Sequence, residues 1–317
     1  MNTRAFLTGA TGFKGIHLVN ELRERGYEVH ALVRPRAGVM PLVPGAHAVY
    51  PGDLTDGGSL RHAIHAARPD IVFHLAAQSH VRVSWDEPEL THRVNGDGTF
   101  NLLEAVRFNA PGATVVLAGT SEEYGLVDES DLPIAETHPL RPLSPYGVSK
   151  VKTDLLGWQY FRSHGLKVVR MRAFNTEGPG RPDSFVPSGF AAQIARIEVG
   201  VQEPVVKHGN LDAVRDYTDV RDTVRGYILA GALGSPGEVY NIASGVGYTL
   251  RECLERLIGM STTKGITMQE DPDRIRPSDV PRLIGDATKL RAVTGWAPTI
   301  SWDQTLRDLL TWWRRVR

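Results

Sequence analysis

Five short apolar runs recur through the first half of the chain: Ala5-Phe6-Leu7, Val29-His30-Ala31-Leu32-Val33, Ile71-Val72-Phe73-His74-Leu75, Thr114-Val115-Val116-Leu117-Ala118 and Lys167-Val168-Val169-Arg170-Met171. They read as strands of a parallel sheet. Between them, residues 16–25, 59–67, 100–108 and 147–162 carry apolar side chains at helical spacing. Repeated β–α alternation predicts an α/β protein of Rossmann type, a doubly wound parallel sheet with helices on both faces. Beyond about Arg172 the pattern breaks into loops rich in glycine and proline, with Pro179, Pro182 and Pro187 among them, and shorter elements. This predicts a larger first domain, residues 1–172, and a smaller α/β domain formed mainly by residues 173–317. Residues 216–243 are left open to rejoin the first. The chain shows no internal repeat and no low-complexity segment.

Composition narrows the classes. Of 317 residues, 41% are hydrophobic and 23% charged, and Lys+Arg equals Asp+Glu at 36 each. Such a chain can bury a large core, and its balanced charge argues for neither a nucleic acid nor a membrane surface as partner. A single cysteine, Cys253, excludes an internal disulfide and a cysteine-only metal cluster. The histidines show no metal-ligand spacing, so no metal is expected. With no signal-type apolar segment at the start and no apolar run approaching ~18 residues, a cytoplasmic location is the expectation.

Candidate chemistry sits at two places. Gly9-Ala10-Thr11-Gly12-Phe13-Lys14-Gly15 follows the first strand and opens the first helix, where Gly9, Gly12 and Gly15 permit a tight turn and close approach of a dinucleotide's pyrophosphate to the helix N-terminus. Residues 1–172 are therefore the expected dinucleotide-binding domain. After the second strand, where an acidic residue suits a free ribose and arginine suits a 2′-phosphate, the chain has Arg34-Pro35-Arg36. That favours NADP (NADPH) and leaves NAD open. Asp53 and Leu54, after the third strand, suit contact with adenine, with a helix cap or a turn as the other role open to Asp53. Far downstream, Tyr146 and Lys150 stand four apart in Tyr146-Gly147-Val148-Ser149-Lys150. On a helix they share a face, and the ammonium is expected to lower the phenol's pKa from its ordinary ~10.

With the glycine turn and that pair in place, the chain resembles the extended short-chain dehydrogenase/reductase family, in its nucleotide-sugar branch. The likeness runs through His74-Leu75-Ala76-Ala77-Gln78-Ser79-His80-Val81, residues 95–105, Gly119-Thr120-Ser121-Glu122-Glu123-Tyr124-Gly125, Gly209-Asn210-Leu211-Asp212-Ala213-Val214-Arg215-Asp216, Arg276-Pro277-Ser278-Asp279-Val280 and Gly295-Trp296. It is similar to GDP-mannose 4,6-dehydratases and, in the second half, to GDP-6-deoxy-4-keto-mannose reductases. The resemblance implies four catalytic residues: Tyr146 as proton donor or acceptor at the sugar's carbon 4, Lys150 on Tyr146 and the nicotinamide ribose, Thr120 on the reacting oxygen, and Glu122 as the carboxylate by which dehydratases take the carbon-5 proton. It implies a cofactor site that includes Gly9, Thr11, Gly12, Phe13, Gly15, Arg34, Asp53, Leu54, Leu75, Ala76 and Ala77. Substrate contacts fall on Ser79, His80, Ser121, Glu122, Asn175 and Val186. Arg215 and Arg276 are placed on the nucleotide diphosphate, for which arginine's fork is suited.

The same resemblance implies a GDP-sugar substrate, with UDP and dTDP sugars left open, and a homodimer through the Tyr146 helix and its neighbour. Two reactions share nearly all these residues. One is NADPH-dependent reduction of GDP-4-keto-6-deoxy-mannose to a GDP-6-deoxyhexose such as GDP-rhamnose. The other is 4,6-dehydration of GDP-mannose with cofactor recycled. The segment from Asn175 to Gly180, the 209–222 segment and the modest length lean towards the reductase; Thr120-Ser121-Glu122 leans towards the dehydratase. A 4-epimerase leaves Glu122 without a role, and a non-catalytic dinucleotide sensor has no need of Thr120, Tyr146 and Lys150 together.

Overall fold

A computed structural model describes residues 3–35, 37, 39–274 and 280–316. The apolar runs become strands β1 (Arg4–Thr8), β2 (Glu28–Val33), β4 (Ile71–His74), β5 (Thr114–Thr120) and β6 (Lys167–Ala173), with β3 (Ala48–Pro51) between the second and third of them. Later come β7 (Asn175–Glu177), β8 (Val205–His208), β9 (Val214–Asp219), β10 (Val239–Ile242), β11 (Gly247–Thr249), β12 (Thr267–Glu270) and β13 (Arg282–Leu283). The helices of the first half are α1 (Phe13–Glu24), α2 (Gly57–Ala67), α3 (Val81–Asp86), α4 (Pro88–His92), α5 (Gly98–Asn109) and α6 (Pro145–His164). Those of the second half are α7 (Val186–Glu198), α8 (Val220–Leu233), α9 (Leu250–Gly259), α10 (Thr288–Thr294) and α11 (Trp302–Val316).

The large sheet runs β10-β6-β5-β4-β1-β2-β3, and every neighbouring pair in it is parallel. Side chains of β1 alternate between its faces. Phe6 packs in a core with Leu60, Leu102 and Val106, while Ala5 and Leu7 pack in another with Leu18, Leu22 and Tyr227. Both faces are dry, which is why these strands read as unbroken apolar runs. β10 is the second half's contribution to the sheet: after α8 crosses over to pack on α1, Tyr240 takes its place opposite Met171.

Local chemistry fixes the helix that matters most. Ser144 caps α6 by accepting the Gly147 amide, Pro145 occupies its first turn, and Gly165 ends it in left-handed conformation at φ +68°. This is the proline-first, glycine-last asymmetry of stable helices. The second half builds a separate core, with Phe190 and Ile194 of α7, Leu254 and Leu257 of α9, and Leu306 and Leu310 of α11. Trp302 stacks on Tyr217 of β9 with ring centroids 4.5 Å apart. Among the described residues, no helix is long and apolar enough to cross a membrane.

Candidate active site

In the large sheet the chain leaves β1 towards β2 on one side and returns at β4 on the other, so a crevice must open beyond the carboxyl ends of β1 and β4. A cavity of about 570 Å³ lies there. Its floor is tied together by His74, whose ring nitrogens meet the hydroxyls of Thr8 at 2.7 Å and Thr99 at 3.0 Å. Burial and the nearby Lys150 charge push His74 down to about 3, so it stays neutral and bridges β1, β4 and α5.

One end of the cavity is the glycine turn. Gly9 sits at φ +80°, and a Cβ there would come within 2.7 Å of the Ala76 amide nitrogen. A Cβ on Gly15 would overlap the Gly9 carbonyl. Gly12 caps α1 without any side-chain hydrogen bond, so the first-turn amides face the cavity bare. These residues fit the diphosphate of a dinucleotide, which needs backbone donors at close range. Arg34 and Asp53 also line the cavity and lie 3.6 Å apart. Arg34 is 67% solvent-exposed, so this pair is weak and leaves the guanidinium open to a phosphate. Asp53 lines the cavity and holds the local turn by accepting hydrogen bonds from the amide and hydroxyl of Thr55, while the cap of α2 is Asp56, which accepts from the Gly58 amide.

The opposite wall is chemical. Thr120 at the end of β5, Glu122 in the turn that follows, and Tyr146 and Lys150 on α6 all line the cavity. Lys150 Nζ donates to the Ala118 carbonyl at 2.6 Å, and burial, opposed by Glu123, lowers its pKa to about 8. The expected depression of the Tyr146 phenol is not met. Its pKa is raised, first by burial and then by the negative charges of Glu122 and Glu123; a hydrogen bond with the Thr120 hydroxyl and the Arg181 charge oppose the rise without reversing it. Desolvation of a phenol only 8% exposed outweighs the contacts that favour the phenolate. Tyr146 is therefore held in its proton-bearing form.

Beneath that wall lies a buried charge network. Thr120's amide donates to Glu123 Oε1 at 2.8 Å, and Arg172 of β6 joins Glu123 Oε2 at 3.2 Å to Asp154 of α6 at 3.1 Å. Asp154 lies one helical turn beyond Lys150, so the network locks the Thr120–Glu122 turn to the Tyr146 helix. From the other side Asn95, in a single π-helical turn at residues 93–97, accepts from the Gln78 amide and donates to Ser149 Oγ at 2.9 Å.

The cavity brings together most of the residues expected from sequence: Gly9, Thr11, Gly12, Phe13, Gly15, Leu54, Leu75, Ala76, Ala77, Ser79, Ser121 and Asn175 line it with those already placed. Three do not. His80 caps α3 and packs its ring 4.7 Å from that of Phe185; Val186 turns towards the α7 core while Phe185 lines the cavity in its stead; Arg215 is buried in β9, donating to the carbonyl of its own neighbour Val214. Arg36 and Arg276 lie outside the described residues. Sequence reading missed Lys14 and Arg181, both in the lining. Each had a signal: a cation inside the glycine turn, and a lone arginine after Gly178 (φ +145°) and Gly180 (φ +88°) in a loop facing the same crevice. Among the described residues, no group of three or more His, Cys, Asp or Glu side chains could hold a metal.

Strand order, glycine turn and tyrosine–lysine wall define an enzyme of the extended short-chain dehydrogenase/reductase class. Within that class the chain belongs to the GDP-mannose 4,6-dehydratase family, whose model matches residues 6–309. It is 36% identical to the GDP-6-deoxy-D-mannose reductase of Pseudomonas aeruginosa, covering 100% of this chain and 99% of that one. To a GDP-mannose 4,6-dehydratase of Vibrio cholerae it is 33% identical, covering 98% and 93%. Among solved structures, RMD from Pseudomonas aeruginosa complexed with NADPH superposes with a TM-score of 0.88 at 33% identity, covering 99% of both chains. A UDP-glucose 4-epimerase from Thermotoga maritima, solved with UDP-glucose, reaches 0.89 at 29% identity with the same coverage.

Proposed function

We propose that this enzyme reduces GDP-4-keto-6-deoxy-mannose to a GDP-6-deoxyhexose such as GDP-rhamnose, with NADPH as reductant. The observation that carries the reading is the wall opposite the glycine turn, where the Tyr146 phenol, buried and hydrogen-bonded with the Thr120 hydroxyl, stands as a proton donor facing the cavity. Reduction of a ketone needs a proton donor at the oxygen, and Tyr146 is ready to be one. The full-length likeness to a reductase supports the same direction. The bound dinucleotide supplies a hydride. Thr120 and Tyr146 hold the carbonyl oxygen at carbon 4 between two hydroxyls, Tyr146 gives its proton to that oxygen as the C=O bond becomes an alcohol, and Lys150 stabilises the phenolate until solvent reprotonates it.

Glu122 on the same wall favours the second reading, 4,6-dehydration of GDP-mannose with the cofactor recycled. The two separate cleanly. GDP-mannose alone is expected to persist, whereas the 4-keto-6-deoxy sugar with NADPH is consumed; products are identified by mass and NMR. Glu122→Gln should leave the reductase within about threefold of the parent, because no carbon-bound proton is removed. A dehydratase would lose roughly 10²–10⁴-fold. Turnover of GDP-mannose without added reductant would sink the reductase reading.

The working unit we propose is a homodimer. α5 and α6, neighbours on one side of the sheet, leave Phe100, Phe108, Val148, Leu155 and Trp158 exposed together. Apolar clusters of that kind mark association surfaces. Sedimentation at micromolar concentration should give twice the mass of one chain, and Trp158→Glu should give one; a monomeric parent would refute this.

A further inference from the structure

Lys14 is a cation that the catalytic reading does not use. It stands in the first turn of α1, inside the glycine turn, and lines the cavity. Its Nζ donates to the Tyr227 hydroxyl of α8 at 3.2 Å. Among the described residues, no carboxylate pairs with it within 4 Å. The charged groups facing it are cations: Arg181 from the loop after β7, and Lys150 from α6. Tyr146 lies near both Tyr227 and Arg181, and Glu177 of β7 faces Arg181 rather than Lys14. Burial, then Arg181 and Lys150, lower Lys14 to about 7. A half-buried ammonium beside two further cations is costly unless an anion completes the group. The bare amides of α1 aim at the same space.

We propose that Lys14 is a binding residue for the diphosphate of the dinucleotide, its ammonium completing the anion site that the first-turn amides of α1 begin. Half-charged near neutrality in the free enzyme, it gains its full charge against the anion, so cofactor binding takes up protons. The direction follows from the sign: an anion raises the pKa of a neighbouring lysine, so uptake is small below about pH 6, where Lys14 is already charged, and grows towards pH 8.5. Lys150 and Glu177 also titrate near neutrality, so Lys14's share is the difference between parent and variant.

This rests on the dinucleotide reading of the site, and the experiment keeps the two apart. NADPH, NADH and GDP are titrated into the parent, Lys14→Met and Lys14→Arg by calorimetry at pH 6, 7.5 and 8.5, in two buffers of different ionisation enthalpy. Thermal unfolding checks that each variant is folded. Lys14→Met is expected to weaken NADPH and NADH by the same factor, roughly 10- to 100-fold, the worth of one charge-assisted hydrogen bond. It should leave GDP within about twofold and remove the Lys14 share of proton uptake. Lys14→Arg, which keeps its charge at every pH, should retain affinity while losing that share. Unchanged dinucleotide affinity in Lys14→Met overturns the proposal. So does a loss confined to NADPH, which would place Lys14 on the 2′-phosphate, or one confined to GDP, which would place it on the substrate. Failure of the parent to bind either dinucleotide would refute the cofactor reading itself.

Discussion

Tyr146→Phe is expected to cut turnover by at least 10²–10⁴-fold while leaving NADPH and GDP affinities within about threefold. The substitution removes one hydroxyl from a side chain that is 8% exposed and keeps the ring that fills the space. Nothing else on the wall can replace the lost donor at the same oxygen. Thr120 is a hydrogen-bonding partner of the phenol with no acid strength of its own, Lys150 is engaged with the Ala118 carbonyl, and Glu122 and Glu123 raise the phenol rather than share its proton. Single-turnover measurement of NADPH oxidation with saturating keto sugar reads the chemical step directly, and turnover within tenfold of the parent would remove Tyr146 from its role. The pH profile adds a sign. Because kcat/KM reports groups of the free enzyme, it should fall as pH rises through about 8, where Lys150 loses its proton, and not rise there, as it would if a phenolate were the active form.

The fold was legible because its signal is physical and local. Strands buried on both faces must be apolar throughout, and Phe6 and Leu7 on opposite faces of β1 show why no alternation survives in the chain. Gly9 and Gly15 were legible for an equally direct reason: a Cβ at either would strike backbone. What escaped sequence reading depends on long-range approach. Residues 216–243 are open in sequence to rejoining the first domain, and β10 does join the large sheet; what no period in residues 239–242 records is the packing of α8 on α1 that brings it there. Arg181 reaches the cavity across the rings of Phe13 and Phe185, its guanidinium carbon 5.0 and 3.4 Å from their centroids, over more than 160 residues of chain in the first case. The Tyr146 pKa went the other way from its sequence expectation because spacing along a helix reveals a neighbouring charge but not the depth of burial that opposes it.

The same limit hides the network under the site, and Arg172→Met is where its weight should appear. The variant is expected to be destabilised by about 3–5 kcal/mol, the usual consequence of removing one partner from a buried ion pair. Arg172 is 4% exposed and serves four acceptors through five contacts: Glu123, Asp154 through both Nε and Nη2, the Tyr124 hydroxyl at 3.2 Å and the Glu136 carbonyl at 3.2 Å. Arg170 still neutralises part of Asp154 after the change, but among the described residues Glu123 forms no second ion pair and keeps the Thr120 amide. Burial, then Asp154, already raise Glu123 to about 8, against the Arg172 charge that holds it down. A carboxyl raised in the folded state binds its proton more tightly than in the unfolded chain, so its contribution to stability is lost as pH climbs from about 4.5 through the folded value. Without Arg172 the folded value moves higher still, so the loss continues to higher pH. Urea unfolding of parent and variant should therefore show a larger difference at pH 8.5 than at pH 6, and adding Glu123→Gln to Arg172→Met should recover part of the loss by removing the stranded charge. A deficit below about 1 kcal/mol at both pH values would show that the network is not what clamps the Thr120–Glu122 turn to the Tyr146 helix.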